Sequence, residues 1–212
     1  MKNNFYVHWT VTDSGEMKPY YVEDITPIEN FYLLVPYHSQ WEADAQKWKS
    51  DCGPANIEIV GEFYRGPSEI STNNIMQWIT KGVNRNTSAI ELVNAAKHFY
   101  DLKLVRIYNV TWDNLKAAIA KGDPIIVLVH YGSFIMRLDR NFTGGHWMTV
   151  VGFDTIDYQG TNVERIILHD PNWWGDYKSQ GANMPVIKKH FMNMWGTCHI
   201  DGNPNYMAII KE

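Results

Sequence analysis

The stretch KWKSDCGPANIEIVGEFY, residues 47–64, places Cys52 at the point where a loop gives way to a helix. From Ile57 onward the apolar residues recur with the spacing of one face of an α-helix. Pro54 falls in the first turn, where the amide hydrogen that proline lacks would have no partner within the helix. The pattern therefore predicts a helix that starts at Cys52 and packs one side against the body of the protein.

Two interpretations of Cys52 follow from this position. A cysteine at a helix N-terminus is a good nucleophile, because unpaired amide hydrogens and the helix dipole favour a thiolate. Ser50 or Asp51 can cap the helix, and Gly53 would let a substrate approach the backbone. The other interpretation is a small apolar core residue, since free cysteine is among the most buried residue types. The segment alone favours neither interpretation.

The composition is that of one globular domain. The chain has 212 residues, of which 45% are hydrophobic and 20% charged, and its net charge of −4 argues against nucleic-acid binding. The N-terminal residues MKNNFYVHWT lack the apolar core of a secretory signal, and no apolar run approaches the roughly 18 residues of a membrane span. We expect a protein without a membrane span, either cytoplasmic or released as part of a particle. The sequence indicates neither a cofactor nor a metal, and it leaves the oligomeric state open.

Helical patterns precede strand patterns along the chain. TNNIMQWITKG, SAIELVNAAKHFY and TWDNLKAAIAKG are predicted helices, and Ser88 with Glu91 forms a capping box for the second of them. The later runs PIIVLVHY, HWMTVVGFD, VERIILHD and YMAIIKE are short, apolar or β-branched, and bounded by turn residues, which is typical of strands. Helices followed by strands predict an α+β fold rather than an alternating α/β fold.

The N-terminal residues are predicted to form a hairpin of their own. NFYVHWTV alternates apolar and polar residues, DSG offers a turn, and a second extended run surrounds YYVED. We expect residues 1–32 to be a β-hairpin extension and residues 33–212 to be a single globular unit.

A nucleophilic cysteine needs a base, and His146 is the best candidate. The segment GGHWMTVVGFD places it at the start of a predicted strand, behind two glycines that leave room at the rim of a cleft. The strand would hold the backbone while the imidazole protrudes at its end. A zinc site built from His130, His146 and His169 is the competing interpretation, but the short ligand spacings typical of such sites are missing.

The second cysteine has a simpler interpretation. Cys198 in WGTCHIDG follows no predicted helix start, and its neighbour His199 is adjacent only in sequence. A chain of this size does not need a disulfide to build its core. We therefore interpret Cys198 as structural and do not expect a bond to Cys52.

An orienting carboxylate and an oxyanion donor complete the predicted site. Asp170 ends the strand in IILHDPNWWGD, where it can accept the imidazole Nδ1–H and leave the other ring nitrogen to the thiol, although DPN is also an ordinary turn sequence. Asp154, at the far end of the His146 strand, is a weaker alternative. Gln40 in VPYHSQW lies twelve positions before Cys52. Its side-chain amide and the Cys52 backbone N–H can together bind a developing oxyanion.

Taken in chain order, these motifs resemble those of a known family. Gln40, Cys52 in DCGPA, His146 in GHWMTVVGFD and Asp170 in LHDP resemble the papain-like cysteine peptidases, in particular the branch similar to bacteriocin-processing, double-glycine leader peptidases. VPYHSQ resembles the segment that carries the oxyanion glutamine in that branch, and AIAKGDPIIVLVH resembles its helix and central strand before the histidine. The resemblance spans residues 33–210.

The resemblance implies a papain-like fold, in which an N-terminal helical part carries Cys52 and packs against an antiparallel sheet that carries His146 and Asp170. It implies that Cys52 attacks an acyl carbon, His146 shuttles the proton, Asp170 orients His146 and Gln40 binds the oxyanion, without a metal. The transporter-linked members carry membrane and nucleotide-binding segments that this sequence does not show, so cleavage of leader peptides during export is not expected. The implied substrate is a peptide, including the peptide of peptidoglycan.

Three functions stay open from the sequence. The first is a cysteine peptidase or amidase that acts through a Cys-His-Asp triad and a thioester. The second is a transglutaminase-like acyltransferase, since an amine can resolve the same thioester. The third is a catalytically silent binding or structural module, whose interface would use the surplus of aromatic residues, among them nine tryptophans and twelve tyrosines.

Overall fold

The computed structural model describes residues 6–11, 17–22, 27–41, 50–81, 83, 85–200, 203–204 and 206–212. The helices within these ranges are α1 (Cys52–Arg65), α2 (Thr72–Thr80), α3 (Ala89–Tyr100), α4 (Trp112–Ala120) and α5 (Lys188–Gly196). The strands are β1 (Tyr6–Val11), β2 (Met17–Val22), β3 (Pro27–Tyr32), β4 (Leu104–Ile107), β5 (Ile125–His130), β6 (Gly145–Tyr158), β7 (Thr161–His169), β8 (Met184–Ile187), β9 (His199–Ile200), β10 (Asn203–Pro204) and β11 (Ala208–Lys211). Two 3₁₀ helices, Tyr131–Ser133 and Gly175–Gly181, follow β5 and β7.

A seven-stranded antiparallel sheet forms the centre of the protein. Its strand order is β4-β11-β5-β6-β7-β8, and β3 also pairs with β6. Along one edge of β6 the first part pairs with β5 and the later part with β3, while β7 runs along the other edge. Together with the helices this sheet confirms the predicted α+β class and the antiparallel arrangement.

The predicted N-terminal hairpin corresponds to β1 and β2, which pair antiparallel in a separate two-stranded sheet. β3 also falls within residues 1–32, yet it pairs with β6 of the main sheet, with Phe31 opposite Phe153. The division of the chain at residue 32 stays a prediction.

The predicted helices are present because each combines a start signal with an apolar face. The Ser88 hydroxyl accepts from the Glu91 backbone, and the Glu91 carboxylate accepts from the Ser88 N–H, so the predicted capping box opens α3. Ser71 opens α2 and Thr111 opens α4 with the same reciprocal arrangement. No helix within the described ranges has the length and apolar character that a membrane crossing requires.

The core lies on both faces of the sheet. One cluster, between the sheet and helices α1, α2 and α3, includes Ile57, Ile75, Leu92, Ile126 and Leu128. The other, between the sheet and helices α4 and α5, includes Leu115, Val127, Val129 and Phe191. Because alternate residues of a strand point to opposite faces, β5 contributes to both clusters, which explains why its sequence IIVLVH is apolar throughout.

The chain does not keep all helices before all strands as predicted. β4 precedes α4, and β8 is followed by α5. β4 and β8 have only four residues each, β8 includes Pro185, and the N-cap of α5 is Ile187, which makes no side-chain capping hydrogen bond. These elements lack the periodicity or start signals that make an element visible in sequence.

Candidate active site

Cys52 is the first residue of α1, as predicted, and Asp51 is the N-cap. The Asp51 carbonyl accepts the Ala55 N–H at 2.9 Å, whereas its side chain makes no capping hydrogen bond to the helix. The capping expected from the Asp51 side chain is therefore not found. Cys52 is partly exposed, Cys198 is buried, and both are free thiols.

Gly53 faces the interior of the protein. A Cβ at this position would lie 2.2 Å from Thr87 Oγ1 and 2.9 Å from Leu92 Cδ2. The interpretation that Gly53 leaves room for a substrate is therefore wrong. The missing side chain instead lets the start of α1 pack closely against the residues around the start of α3.

His146 and Asp170 meet where β6 begins and β7 ends. His146 Nε2 lies 2.7 Å from Asp170 Oδ1, and both side chains are almost completely buried, with exposed fractions of 1% and 0%. The expectation that the carboxylate takes Nδ1–H is wrong, because Nε2 faces it. Nδ1 is thus the ring nitrogen left for Cys52. The imidazole is also buried rather than protruding.

The surroundings of His146 favour its protonated form. Burial lowers the pKa of the imidazole, but Asp170 and Cys52 raise it by more, through charge and hydrogen bonds, and it reaches about 9. A cation this deeply buried is stable only beside anionic partners. At neutral pH the arrangement therefore supports an imidazolium beside the Asp170 carboxylate.

The Asp170 carboxylate is held by three donors besides His146. The Asn172 N–H donates to Oδ1 at 2.9 Å, while the Tyr131 hydroxyl and the Trp173 indole N–H each donate to Oδ2 at 3.0 Å. Burial and the charge of Asp170 raise the pKa of Tyr131 well above its usual value, so this phenol stays a neutral donor. None of the three donors belongs to the predicted site. Asn172 and Trp173 directly follow Asp170 and Pro171 in DPNWW, which is a local signal, whereas Tyr131 has none.

Asn56 joins the helix of the nucleophile to the strand of the base, and it too was missed. Its Nδ2 donates to the Cys52 carbonyl at 2.6 Å and to the Trp147 carbonyl at 2.9 Å. The Thr149 hydroxyl donates to Asn56 Oδ1. Asn56 is fully buried, so these bonds are shielded from water. They fix the first turn of α1 against β6, the strand that carries His146.

Gln40, Cys52 and His146 line one cavity of about 730 Å³. Gln40 is buried, and its backbone N–H donates to the Pro171 carbonyl at 2.9 Å. The structure thus brings together Gln40, Cys52, His146 and Asp170, although their catalytic roles stay predictions.

Two tryptophans also line this cavity. The rings of Trp41 and Trp174 have centroids 5.5 Å apart, and the Trp41 indole N–H donates to Asn172 Oδ1 at 2.8 Å. Part of the aromatic surplus in the sequence therefore lies beside the candidate nucleophile. The two neighbours in NWWGDY differ in position, because Trp173 is buried beneath Asp170 while Trp174 is 36% exposed.

The alternative orienting carboxylate, Asp154, is engaged elsewhere. It accepts hydrogen bonds from Arg165 Nε at 2.7 Å and from the Tyr32 hydroxyl at 2.6 Å. Both Asp154 and Arg165 are buried, so the carboxylate forms a structural ion pair between β6 and β7.

The three histidines of the alternative zinc site do not form a ligand set. His169 Nε2 lies 3.1 Å from the Val35 carbonyl, its Nδ1 accepts the Asn183 N–H at 3.1 Å, and burial lowers its pKa to about 4. His130 Nδ1 lies 2.9 Å from the Ser133 hydroxyl. Across the described residues, the ligand atoms close enough to share a metal ion belong to His38, Glu58 and Glu62.

The chain is similar to known proteins over most of its length. The family model of the peptidase C39-like family matches residues 32–199. A search of the curated proteins finds no sequence that matches the chain. A solved structure named as a C39-like peptidase from Bacillus anthracis is 15% identical, with a TM-score of 0.57, and the match covers 87% of this chain and 98% of that one.

A second solved structure, UfSP from C. elegans, is 11% identical with a TM-score of 0.52, and the match covers 88% of this chain and 34% of that one. At these identities the structural matches show the fold, while the family model identifies the sequence relationship. The chain therefore belongs to the peptidase C39-like family and has the papain-like fold of cysteine peptidases.

Proposed function

We propose that the protein hydrolyses amide bonds through a Cys52, His146 and Asp170 triad and a thioester on Cys52. The observation that supports this proposal is the buried 2.7 Å contact between His146 and Asp170, in a site where Cys52 lines the same cavity as His146 and contributes to its raised pKa. Gln40 lines the cavity beside them. This combination supplies a nucleophile, a base, an orienting carboxylate and an oxyanion donor.

In this mechanism the Cys52 proton resides on His146 Nδ1, and the thiolate attacks the carbonyl carbon of the substrate. The carbonyl π electrons move to oxygen, where the Gln40 amide and the Cys52 backbone N–H stabilise the oxyanion. The intermediate then collapses, the C–N bond breaks, and His146 gives its proton to the leaving amine. Water, deprotonated by His146, attacks the resulting thioester, and the thiolate leaves as the acid product is released.

The proposed substrate is a peptide chain, including the peptide cross-bridges of peptidoglycan. The cavity beside Cys52 is lined by aromatic rings and amide side chains, including Trp41, Asn86, Asn141, Phe142, Asn172 and Trp174. Rings supply apolar contact area, and amides can both donate to and accept from a peptide backbone.

Turnover of a fluorogenic peptide library tests the proposed reaction. Cys52→Ala and His146→Ala should reduce turnover to background, because removal of a triad member costs on the order of 10⁴-fold or more in comparable enzymes. The matched control is Cys198→Ala, which removes the other thiol and should keep activity. A Cys52→Ala variant that retains turnover would contradict the proposal.

The reactivity of the thiol tests activation without a known substrate. Cys198 serves as the internal reference, because it is buried and burial raises its pKa to about 11. At neutral pH we expect iodoacetamide to modify Cys52 first, and His146→Ala to slow that reaction. If Cys52 in the folded protein reacts no faster than in urea, the thiol is not activated.

Acceptor amines separate hydrolysis from acyl transfer. Once a cleaved peptide has been identified, the reaction is repeated with millimolar amines and the products are analysed by mass spectrometry. The free acid should be the main product. A predominant amide product would instead show that the same thioester is resolved by transfer.

A further inference from the structure

The segment of residues 37–40 lies between the two halves of the candidate site. On one side it is attached to the loop after β7, which carries Asp170. The Ser39 hydroxyl donates to the Trp173 carbonyl at 2.5 Å, and the Gln40 N–H donates to the Pro171 carbonyl at 2.9 Å. These bonds fix Gln40 relative to Asp170 but not relative to the helix of Cys52.

His38 connects the same segment to that helix. Its Nε2 lies 2.9 Å from Glu62 Oε2, and its Nδ1 lies 3.4 Å from Glu58 Oε1. Both glutamates belong to α1, one turn apart, and their side chains are only 10% and 8% exposed. Because both carboxylates are largely withdrawn from water, removal of His38 would leave them without this partner, which costs more than the loss of a surface ion pair.

The two carboxylates are themselves held in place. Glu58 Oε2 accepts from the Thr72 hydroxyl at 2.5 Å, and Glu62 Oε1 accepts from the Ser68 N–H at 3.1 Å. Neither glutamate is therefore a free side chain that could follow a moving imidazole. They form a fixed attachment point for His38 on the helix that begins with Cys52.

Among the described residues, two separate polar connections link α1 to other parts of the site. Asn56 fixes the start of α1 to β6, and so sets the position of Cys52 relative to His146. His38 fixes α1 to the segment of Gln40, and so sets the position of Cys52 relative to the oxyanion donor. We infer that His38 is a positioning residue that holds Gln40 at the oxyanion site through Glu58 and Glu62. This inference rests on the proposed function, in which Gln40 binds the oxyanion.

The two connections affect different reactions. Alkylation by iodoacetamide needs the thiolate but forms no oxyanion. Peptide cleavage needs the thiolate and also stabilisation of the oxyanion that it forms. His38→Ala should lower kcat by about tenfold or more, part of the roughly 10²- to 10³-fold that an oxyanion donor contributes in other enzymes. KM and the alkylation rate should each stay within about twofold of the wild-type values, because ground-state binding and the triad are unchanged.

Three further variants make this comparison specific. His38→Gln keeps an N–H near the position of Nε2 and should recover most of kcat. Arg65→Ala removes a comparable contact of α1, the 2.8 Å bond from Arg65 Nε to the Tyr100 carbonyl, and should leave kcat unchanged. Thr149→Val weakens the Asn56 connection, and should slow alkylation and turnover together.

A double-mutant cycle asks whether His38 acts through Gln40. If it does, His38→Ala should change kcat by less than about twofold in a Gln40→Ala background, since coupled residues are not additive. A full-sized second loss in that background overturns the inference. Parallel losses of alkylation and turnover in His38→Ala overturn it as well, because they place the effect on the triad.

Hydrogen exchange provides a measurement that needs no turnover. The backbone N–H of Gln40 exchanges with solvent only when the segment opens, and opening must break the His38 contacts. His38→Ala should therefore speed exchange of this backbone N–H by about tenfold or more, whereas Arg65→Ala should not. Unchanged exchange overturns the inference whether or not a substrate is found. Absence of any turnover by the wild-type protein would instead contradict the proposed function. The exchange rates alone would then test whether His38 holds Gln40 in place.

Discussion

At the scale of single residues, the candidate site is governed by the cost of burying charge. The His146 and Asp170 side chains are both withdrawn from water, and a buried ion is tolerated only when its hydrogen-bonding capacity is filled. Tyr131, Asn172 and Trp173 fill that capacity on the carboxylate. The carboxylate in turn keeps the imidazole protonated. Each residue is therefore explained by the charge of its neighbour.

Removal of the Asp170 charge should lower the pKa of His146. In Asp170→Asn the main contribution that raises this pKa is lost while burial still lowers it, so the value should fall from about 9 toward or below 6.5. An NMR titration of the imidazole measures the change. Tyr131→Phe removes one hydrogen bond but keeps the charge, and should shift the pKa less. An unchanged pKa in Asp170→Asn would show that the carboxylate does not stabilise the imidazolium.

Gly181 provides a test of how tightly Asp170 is packed. A Cβ at Gly181 would lie 2.3 Å from the Asp170 carbonyl oxygen and 2.2 Å from the Tyr37 hydroxyl, and a backbone oxygen cannot swing aside. Gly181→Ala should lower the free energy of unfolding by about 1–3 kcal/mol, as overpacking does elsewhere, and should also lower turnover. Urea unfolding measures the first effect. Gly145→Ala is the control for stability, because its new Cβ would make only ordinary contacts, the nearest at 3.6 Å.

At the scale of secondary structure, the elements that the sequence predicts are those with local signals. A capping box identified α3, helical patterns identified α2 and α4, and apolar or β-branched runs identified β5, β6 and β7. The same signals placed Cys52 at a helix start and His146 and Asp170 at strand ends. Whether Nε2 or Nδ1 faces Asp170 depends on how two strands are offset, and the roles of Asn56 and His38 depend on contacts between distant segments. Local patterns contain no information on either.

The start of α1 is predicted to be sensitive to any side chain at Gly53. Alanine favours a helix by about 1 kcal/mol over glycine, but here its Cβ would lie 2.2 Å from Thr87 Oγ1. We expect Gly53→Ala to destabilise the protein and to slow alkylation of Cys52, because the first turn must move. Thr87→Ala in the same chain should recover part of both losses.

The control for this prediction is Ser71→Ala, which removes the cap of α2. It should cost about 1 kcal/mol of unfolding free energy and leave the alkylation rate unchanged. If Gly53→Ala is as stable and as reactive as the wild-type protein, the close packing of this turn is not required.

At the scale of the whole molecule, the sheet contains two buried histidines whose pKa values are shifted in opposite directions. His146 has its pKa raised to about 9 beside Asp170, and His169 has its pKa lowered to about 4 by burial. The overall class of the fold could be predicted from the order of patterns. The insertion of β11 between β4 and β5 could not, because strand order is set by how the sheet is packed.

These shifts predict how stability depends on pH. While the imidazolium carries the proton that Cys52 holds in the unfolded chain, the folded and unfolded states bind equal numbers of protons. The contribution of His146 therefore falls only above about pH 8.5, where an unfolded thiol ionises, and is lost as pH rises through about 9, at up to about 1.4 kcal/mol per pH unit. Below about pH 6.5 His169 binds a proton in the unfolded chain, whereas buried His169 in the folded protein stays neutral. Stability therefore falls as pH drops toward 4. Urea unfolding across this range measures both slopes.

Single substitutions assign each slope to its histidine. His146→Gln should flatten the loss of stability on the alkaline side, and His169→Gln should flatten the loss on the acidic side. A variant that keeps the slope of the wild-type protein would show that another group titrates in that range.

The central position of β11 also sets when an active thiol can exist during synthesis. Cys52 and α1 leave the ribosome long before Ala208–Lys211, yet these residues pair with both β4 and β5 and are needed to complete the sheet that presents His146. β4 and β5 are synthesised before β11, and their pairing in the sheet is incomplete until β11 is available. Released chains truncated before Ala208 should therefore show Cys52 alkylation at the rate of an unfolded chain, and chains that include Ala208–Lys211 the faster rate. The order of synthesis would thus protect a growing chain from its own nucleophile.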